Sequence, residues 1–144
     1  MFKDCSRINE IDLSDFDSSE VDTINNMFEG CKRLTSIDFG NFDTSKVDRF
    51  NNMFESCEEL RSLDLSHFDT SSCTMFSQMF YNCKNLQYLY LTNFNTSITK
   101  EMNYMFSGCS SLYSLNLSSF NTEEVLGMES MFIIALIIAL HYII

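Results

Sequence analysis

An α/β solenoid of about five 26-residue strand–turn–helix units, its parallel strands on a concave face, is the fold this chain predicts from three observations. The Met-Phe pair recurs at Met1, Met27, Met53, Met79, Met105 and Met131, one every 26 residues, and a fixed period of this size marks stacked repeats. A cysteine stands three residues past the Phe of the first five pairs, at Cys5, Cys31, Cys57, Cys83 and Cys109. Each period also holds one stretch of strict alternation and one of helix-like spacing.

The unit from Asp43 to Phe68 shows how the elements are read. Val47, Phe50, Met53 and Phe54 step by three, three and one, which traces one face of an α-helix. Thr44 and Ser45 precede them, and Asp48 follows Ser45 by three, as in a capping box with a shorter acid. An acid in the first turn also suits the helix dipole. Gly30, Ser56, Asn82 and Gly108 stand just before the cysteines, and Gly and Asn tolerate the left-handed backbone that commonly ends a helix. The predicted helix therefore stops there, with the cysteine in the turn that follows.

Next, Leu63 and Leu65 alternate with Ser62, Asp64 and Ser66, the pattern of a strand with one buried face. Phe68 fills the core, and Asp69-Thr70-Ser71 opens the next unit. Parallel strands stack about 4.8 Å apart and packed helices about 8–10 Å. Such unequal spacings bend a stack into an arc with its strands inside.

The recurring string M-F-x-x-C-x-x-L-x-x-L-D-L-S-x-F-D-T-S resembles the repeats of the BspA-like leucine-rich repeat surface proteins. More narrowly, it is similar to the mycoplasma-type lipoprotein branch with Met-Phe and Phe-Asp-Thr-Ser motifs. The resemblance covers residues 1–132, leaving 133–144 as an apolar tail. It implies a leucine-rich-repeat-like arc, display at a cell surface, and attachment to proteins or host surfaces. No signal peptide precedes the first repeat. Met1-Phe2-Lys3-Asp4-Cys5 matches Met27-Phe28-Glu29-Gly30-Cys31, so the chain reads as an internal piece of a longer repeat protein. The uncharged run 131–144 falls short of the roughly 20 residues that a membrane helix needs. An interfacial segment, a buried cap and a non-native end all remain open for it.

The formal charge is −11, and it is uneven: 16 acids against 7 bases in residues 1–72, 4 against 2 in residues 73–144. Such an acidic surface repels phosphate backbones, which argues against nucleic-acid binding and leaves basic proteins, cations and neutral glycans. Asp12, Asp38 and Asp64 point outward from successive strands and align on one face. Like charges on neighbouring strands destabilise a sheet unless solvent or a ligand offsets them. Tyr90 and Asn116 take the same position in the next two units, with Tyr88 beside Tyr90. These six residues form the predicted binding face, its partner a protein, basic to match the acids. A glycan held by Tyr88 and Tyr90 is the first alternative, and a structural repeat fragment without a ligand the second.

Other marked positions read as structural. Zinc sites need closely spaced cysteines, and no C-x-x-C occurs. Cys73 occupies the position of Val21, Val47 and Val125, so cysteine here acts as a small hydrophobe, and the column reads as buried free thiols. The Phe column (Phe16, Phe42, Phe68, Phe94, Phe120) reads as core filling rather than a cofactor box. Asp17, Asp43, Asp69, Asn95 and Asn121 suit side-chain bonds to turn backbone. Asp15 and Asp17 offer too few oxygens for calcium. Asn95-Thr96-Ser97 and Asn116-Leu117-Ser118 match the N-glycosylation pattern, which matters only in a secreted eukaryotic chain. His67 and His141 stand near no nucleophile-and-orienter set, so the chain is read as no enzyme and as needing neither metal nor cofactor.

Overall fold

The computed structural model describes residues 1–134, a stack of coils with one 26-residue repeat per coil. Its regular elements are four three-residue strands: β1 (Glu10–Asp12), β2 (Ser36–Asp38), β3 (Ser62–Asp64) and β4 (Tyr88–Tyr90). β1 pairs in parallel with β2, Ile11 opposite Ile37, and β3 with β4, Leu63 opposite Leu89. A second column of parallel bridges runs through Thr23, Arg49, Met75, Glu101 and Gly127. The predicted tail beyond Ile134 lies outside the described residues.

No α-helix occurs among the described residues, which corrects the strand–turn–helix unit. A helix would send the N–H of Phe54 back to the carbonyl four residues earlier. Here it donates instead to Met79 of the next coil at 2.9 Å. Phe28 donates likewise to Met53 at 2.9 Å, and Phe80 to Met105 at 2.9 Å. Asn52 and Ser56 flank Phe54 with the same kind of bond, to Ser77 at 3.0 Å and Tyr81 at 2.7 Å. Between these rungs the chain folds back in short turns, such as Met53 N–H to the Phe50 carbonyl and Cys57 N–H to that of Phe54. Asn26, Asn52, Gln78 and Tyr104 have φ between 57° and 60°, and Gly30, Ser56, Asn82 and Gly108 have φ between 58° and 79°. Two left-handed residues four apart cannot belong to one right-handed helix.

The apolar spacing misleads for a physical reason. A string of turns closed by i→i+3 bonds returns the chain to the core every three residues. Thr44, Val47, Phe50, Met53, Phe54, Cys57 and Leu60 are all buried, at steps of three apart from the adjacent Met53–Phe54 pair. The period of a helix, about 3.6 residues, is too close to be told apart over so short a run.

The concave strand face falls with the helices. Phe28, Phe54, Phe80, Phe106 and Phe132 stack face to face on the flank assigned to helices, with ring centroids 5.4–5.7 Å apart. Packed helices would hold that flank about 8–10 Å apart. With turns there instead, the helix-width spacing from which the arc was deduced is absent from the described residues.

The other core columns follow the same register. Phe16 stacks on Phe42 at 5.7 Å and Phe94 on Phe120 at 6.3 Å. Thr70 and Thr96 are buried hydroxyls that bond the next coil: Thr70 Oγ1 donates to the Asn95 carbonyl at 3.0 Å and accepts the Asn95 N–H at 2.8 Å. All six cysteines are free thiols, and all but Cys5 are buried. Cys57 Sγ donates to the Phe28 carbonyl at 3.3 Å, Cys83 to Phe54 at 3.0 Å and Cys109 to Phe80 at 3.0 Å. Burial pushes Cys31 up to about 11 and Cys73 and Cys109 up to about 12, from an ordinary value of 9.0.

The strand ladder breaks between β2 and β3. There Phe39 replaces the leucine of the other coils, and its ring lies edge-on to Phe28, Phe42, Phe54 and Phe68. Gly40 follows with φ +52°, and a Cβ added to it would lie 2.5 Å from the Ser14 Cα.

Two predictions follow from this packing. Gly40→Ala will lower stability by about 1–3 kcal/mol, whereas Ser66→Ala, at the same place in the next coil, will change it by less than about 0.5 kcal/mol; urea unfolding measures both. The second concerns alkaline pH. A thiol whose folded value lies above its unfolded value keeps its proton in the fold after the unfolded chain has lost it. Stability will therefore hold up to about pH 9 and fall as pH rises toward 12, and Cys109→Ala will flatten that slope.

Candidate functional site

The strand positions place Asp12, Asp38 and Asp64 on one exposed face, with Tyr88 and Tyr90 on β4 and Asn116 in the following coil. Asp12 lies opposite Asp38 and Asp64 opposite Tyr90 in the parallel register. The ladder break at Phe39 falls inside the acidic column, between Asp38 and Asp64.

Each acid of the column has a local bond. The Oδ1 of Asp12 accepts the Ser14 N–H, that of Asp38 the Gly40 N–H, and that of Asp64 the Ser66 N–H, each at 2.9 Å. These bonds close the turn that leaves each strand. Hydrogen bonds from Ser14 and Ser66 hold Asp12 and Asp64 below the usual carboxylate value, so both stay charged at neutral pH. Asn116 makes the same bond, to the Ser118 N–H at 2.9 Å, with an amide. The turn therefore needs an oxygen and not a charge.

Some acids elsewhere are neutralised between coils. Lys3 meets Glu29 at 2.8 Å, Lys46 meets Glu20 at 3.0 Å, and Glu58 lies between Lys32 at 3.7 Å and Lys84 at 3.0 Å. All these partners are 26 residues apart, one coil to the next. Asp12, Asp38 and Asp64 have no such ion pair among the described residues. His67 adds a weak favourable field at Asp64, and its ring lies edge-on to Phe68 at 4.9 Å.

Tyr88 and Tyr90 are 46% and 48% exposed, and Tyr113, which the strand pattern did not single out, is 68% exposed beside them. The Tyr88 and Tyr113 rings lie 6.4 Å apart at 48°. Alternation counted back from Leu117 and Leu115 puts Tyr113 inward, but its column lies just before the strands, at Asn9, Thr35, Arg61 and Gln87, and is exposed in each coil. The available signal was its column: Asn9, Thr35, Arg61 and Gln87 are all polar.

A recess of about 150 Å³ lies among Met1, Phe16, Val21, Ile24, Met27 and Phe42. It is smaller than the roughly 300 Å³ of an ordinary ligand pocket and holds no titratable side chain. Among the described residues, no three His, Cys, Asp or Glu side chains converge to hold a metal.

The repeat also matches a family model. A family described as "Mycoplasma protein of unknown function, DUF285" matches residues 1–89 and again 58–138. The chain belongs to the DUF285 family. Its two overlapping matches reflect the internal repetition of this member. No curated protein matches the chain. Among solved structures it is similar to a leucine-rich repeat protein from Bacteroides ovatus, at 22% identity and a TM-score of 0.39. That likeness covers 78% of this chain and 32% of the other protein, so the chain spans about a third of its length.

Proposed function

We propose that this repeat module recognises a basic protein partner through its exposed strand face, with Asp12, Asp38 and Asp64 as the charge contacts. Tyr88, Tyr90 and Asn116 continue the same face without charge. The observation that carries the reading is that the charge in this column is surplus to the fold. Asn116 closes the equivalent turn as an amide, while Asp12 stands opposite Asp38 with no cation between them. Like charges facing one another across a strand pair destabilise it, and a cationic partner would offset that cost.

The same reading speaks against catalysis and nucleic acid at this face. The acids stand on an open face rather than in a recess that sheds water, and their sign repels phosphate. Display at a cell surface, in the manner of an adhesion module, rests on the resemblance of the repeat to BspA-like surface proteins.

The test replaces Asp12, Asp38 and Asp64 together by Asn, which keeps the turn bond and removes the charge. A charge-matched control carries Asp15→Asn, Asp22→Asn and Glu123→Gln. Binding to an immobilised lysine-rich peptide will be lost in the first variant, kept in the control, and weakened for the parent as salt is raised toward ~1 M. The first variant will unfold no sooner than the parent. Equal loss in both variants would reduce the effect to net charge, and undiminished binding by the first would leave a structural repeat without this ligand.

A further inference from the structure

We propose that the uncharged end of the strand face, built on Tyr88, Tyr90 and Tyr113, is a separate site for a neutral glycan. It does not depend on the acidic column. No Asp, Glu, Lys or Arg occurs from Asn85 to Asn95 or from Ser110 to Asn121. The same stretch of the first coil, Arg7 to Asp17, holds Arg7, Glu10, Asp12, Asp15 and Asp17. The stretches 33–43 and 59–69 are charged as well. The face thus changes chemistry between β3 and β4, where Asp64 gives way to Tyr90 in the register.

The tyrosines are placed to act together. Tyr88 and Tyr90 rise from the same side of β4, and Tyr113 leans against Tyr88 from the next coil, rings 6.4 Å apart. The packing rings Phe54 and Phe80 are wholly covered, whereas these three tyrosines keep 46–68% of their surface. Between and around them stand Gln87, Thr92 and Ser114, all exposed. Asn116 uses its Oδ1 on the Ser118 N–H, which leaves its Nδ2 to donate outward.

This combination suits one class of ligand. A pyranose ring offers apolar C–H faces to aromatic rings and hydroxyls to amides and hydroxyls. Exposed tyrosines bury large area with little loss of side-chain freedom and keep a polar tip. A charged ligand would lose hydration here and find opposite charge only in the coil before, at Arg61 and Asp64. A neutral sugar chain meets neither penalty.

The chain has no Trp, and three of its six tyrosines form the site, so tyrosine emission reports on it in large part. The intact chain is titrated with neutral oligomers of glucose (α- and β-linked), mannose and N-acetylglucosamine. At least one oligomer will change the emission saturably. Tyr88→Ala and Tyr113→Ala will each weaken that binding about ten-fold, and Tyr88→Phe will largely keep it. The triple Asn variant of Asp12, Asp38 and Asp64 will bind as the parent does, and salt at ~1 M will not matter. No saturable change with any oligomer overturns the proposal. So does binding that salt or the Asn variant abolishes, or binding that survives both alanine substitutions. Capture of a lysine-rich peptide that fails only in the tyrosine variants would assign the patch to protein and overturn it too.

Discussion

Each coil has to lie one strand spacing from its neighbours around its whole path. The backbone bonds enforce this: N–H groups at alternate residues of the turn segment, as at Asn52, Phe54 and Ser56, donate to the coil that follows. A helix cannot satisfy the condition, because its amides bond within the segment and its width forces neighbours apart. The side chains that fill the stack are those that tolerate a short repeat. Phenylalanine rings lie flat on one another at 5.4–5.7 Å, and a thiol or a threonine hydroxyl fits between coils where it meets a carbonyl. The left-handed residues that close the turns are the backbone cost of this arrangement, borne by Asn26, Gly30, Asn52, Asn82 and Gly108 and also by Ser56, Gln78 and Tyr104.

The same constraint shapes the surface. Any side chain at one repeat position acquires neighbours of its own kind about one strand spacing away, so a charge becomes a column of charges. Lysine and glutamate alternating between coils answer this along one line, from Lys32 through Glu58 to Lys84. Uncharged Asn answers it at Asn95 and Asn121, where it makes the turn bond that Asp43 and Asp69 make in earlier coils. The column of Asp12, Asp38 and Asp64 likewise gives way to uncharged residues, Tyr90 and Asn116, in the later coils. What sets its acids apart is their place on the strands, where Asp12 faces Asp38 directly across the β1–β2 pair.

Much of this was legible in the residues. The period, the inward Met-Phe pairs, the strand alternation of Leu63 with Asp64, and the turn role of the Asp/Asn column follow from spacing and side-chain chemistry. The helix did not survive because Val47, Phe50 and Met53 step by three, a spacing that i→i+3 turns produce as readily as a helix does. One signal against it was present: Asn26 and Gly30, four residues apart, both tolerate left-handed backbone, as do Asn52 and Ser56 to a lesser degree. Gln78 and Tyr104 hide that signal in later coils. Once the helix is gone the concave face goes too, since it was deduced from the difference in spacing. Tyr113 escaped notice because alternation was read from Ser62 to Ser66, and Tyr113 stands at the position just before that stretch.

The central claim is that the turn segments bond between coils rather than within themselves. Scalar coupling across hydrogen bonds, measured by NMR on labelled protein, tests it at one amide. The account predicts coupling between the Phe54 amide nitrogen and the carbonyl carbon of Met79, whose oxygen lies 2.9 Å from that nitrogen. Coupling from Phe54 to the Phe50 carbonyl instead would restore the helix, and with it the unequal spacing and the arc.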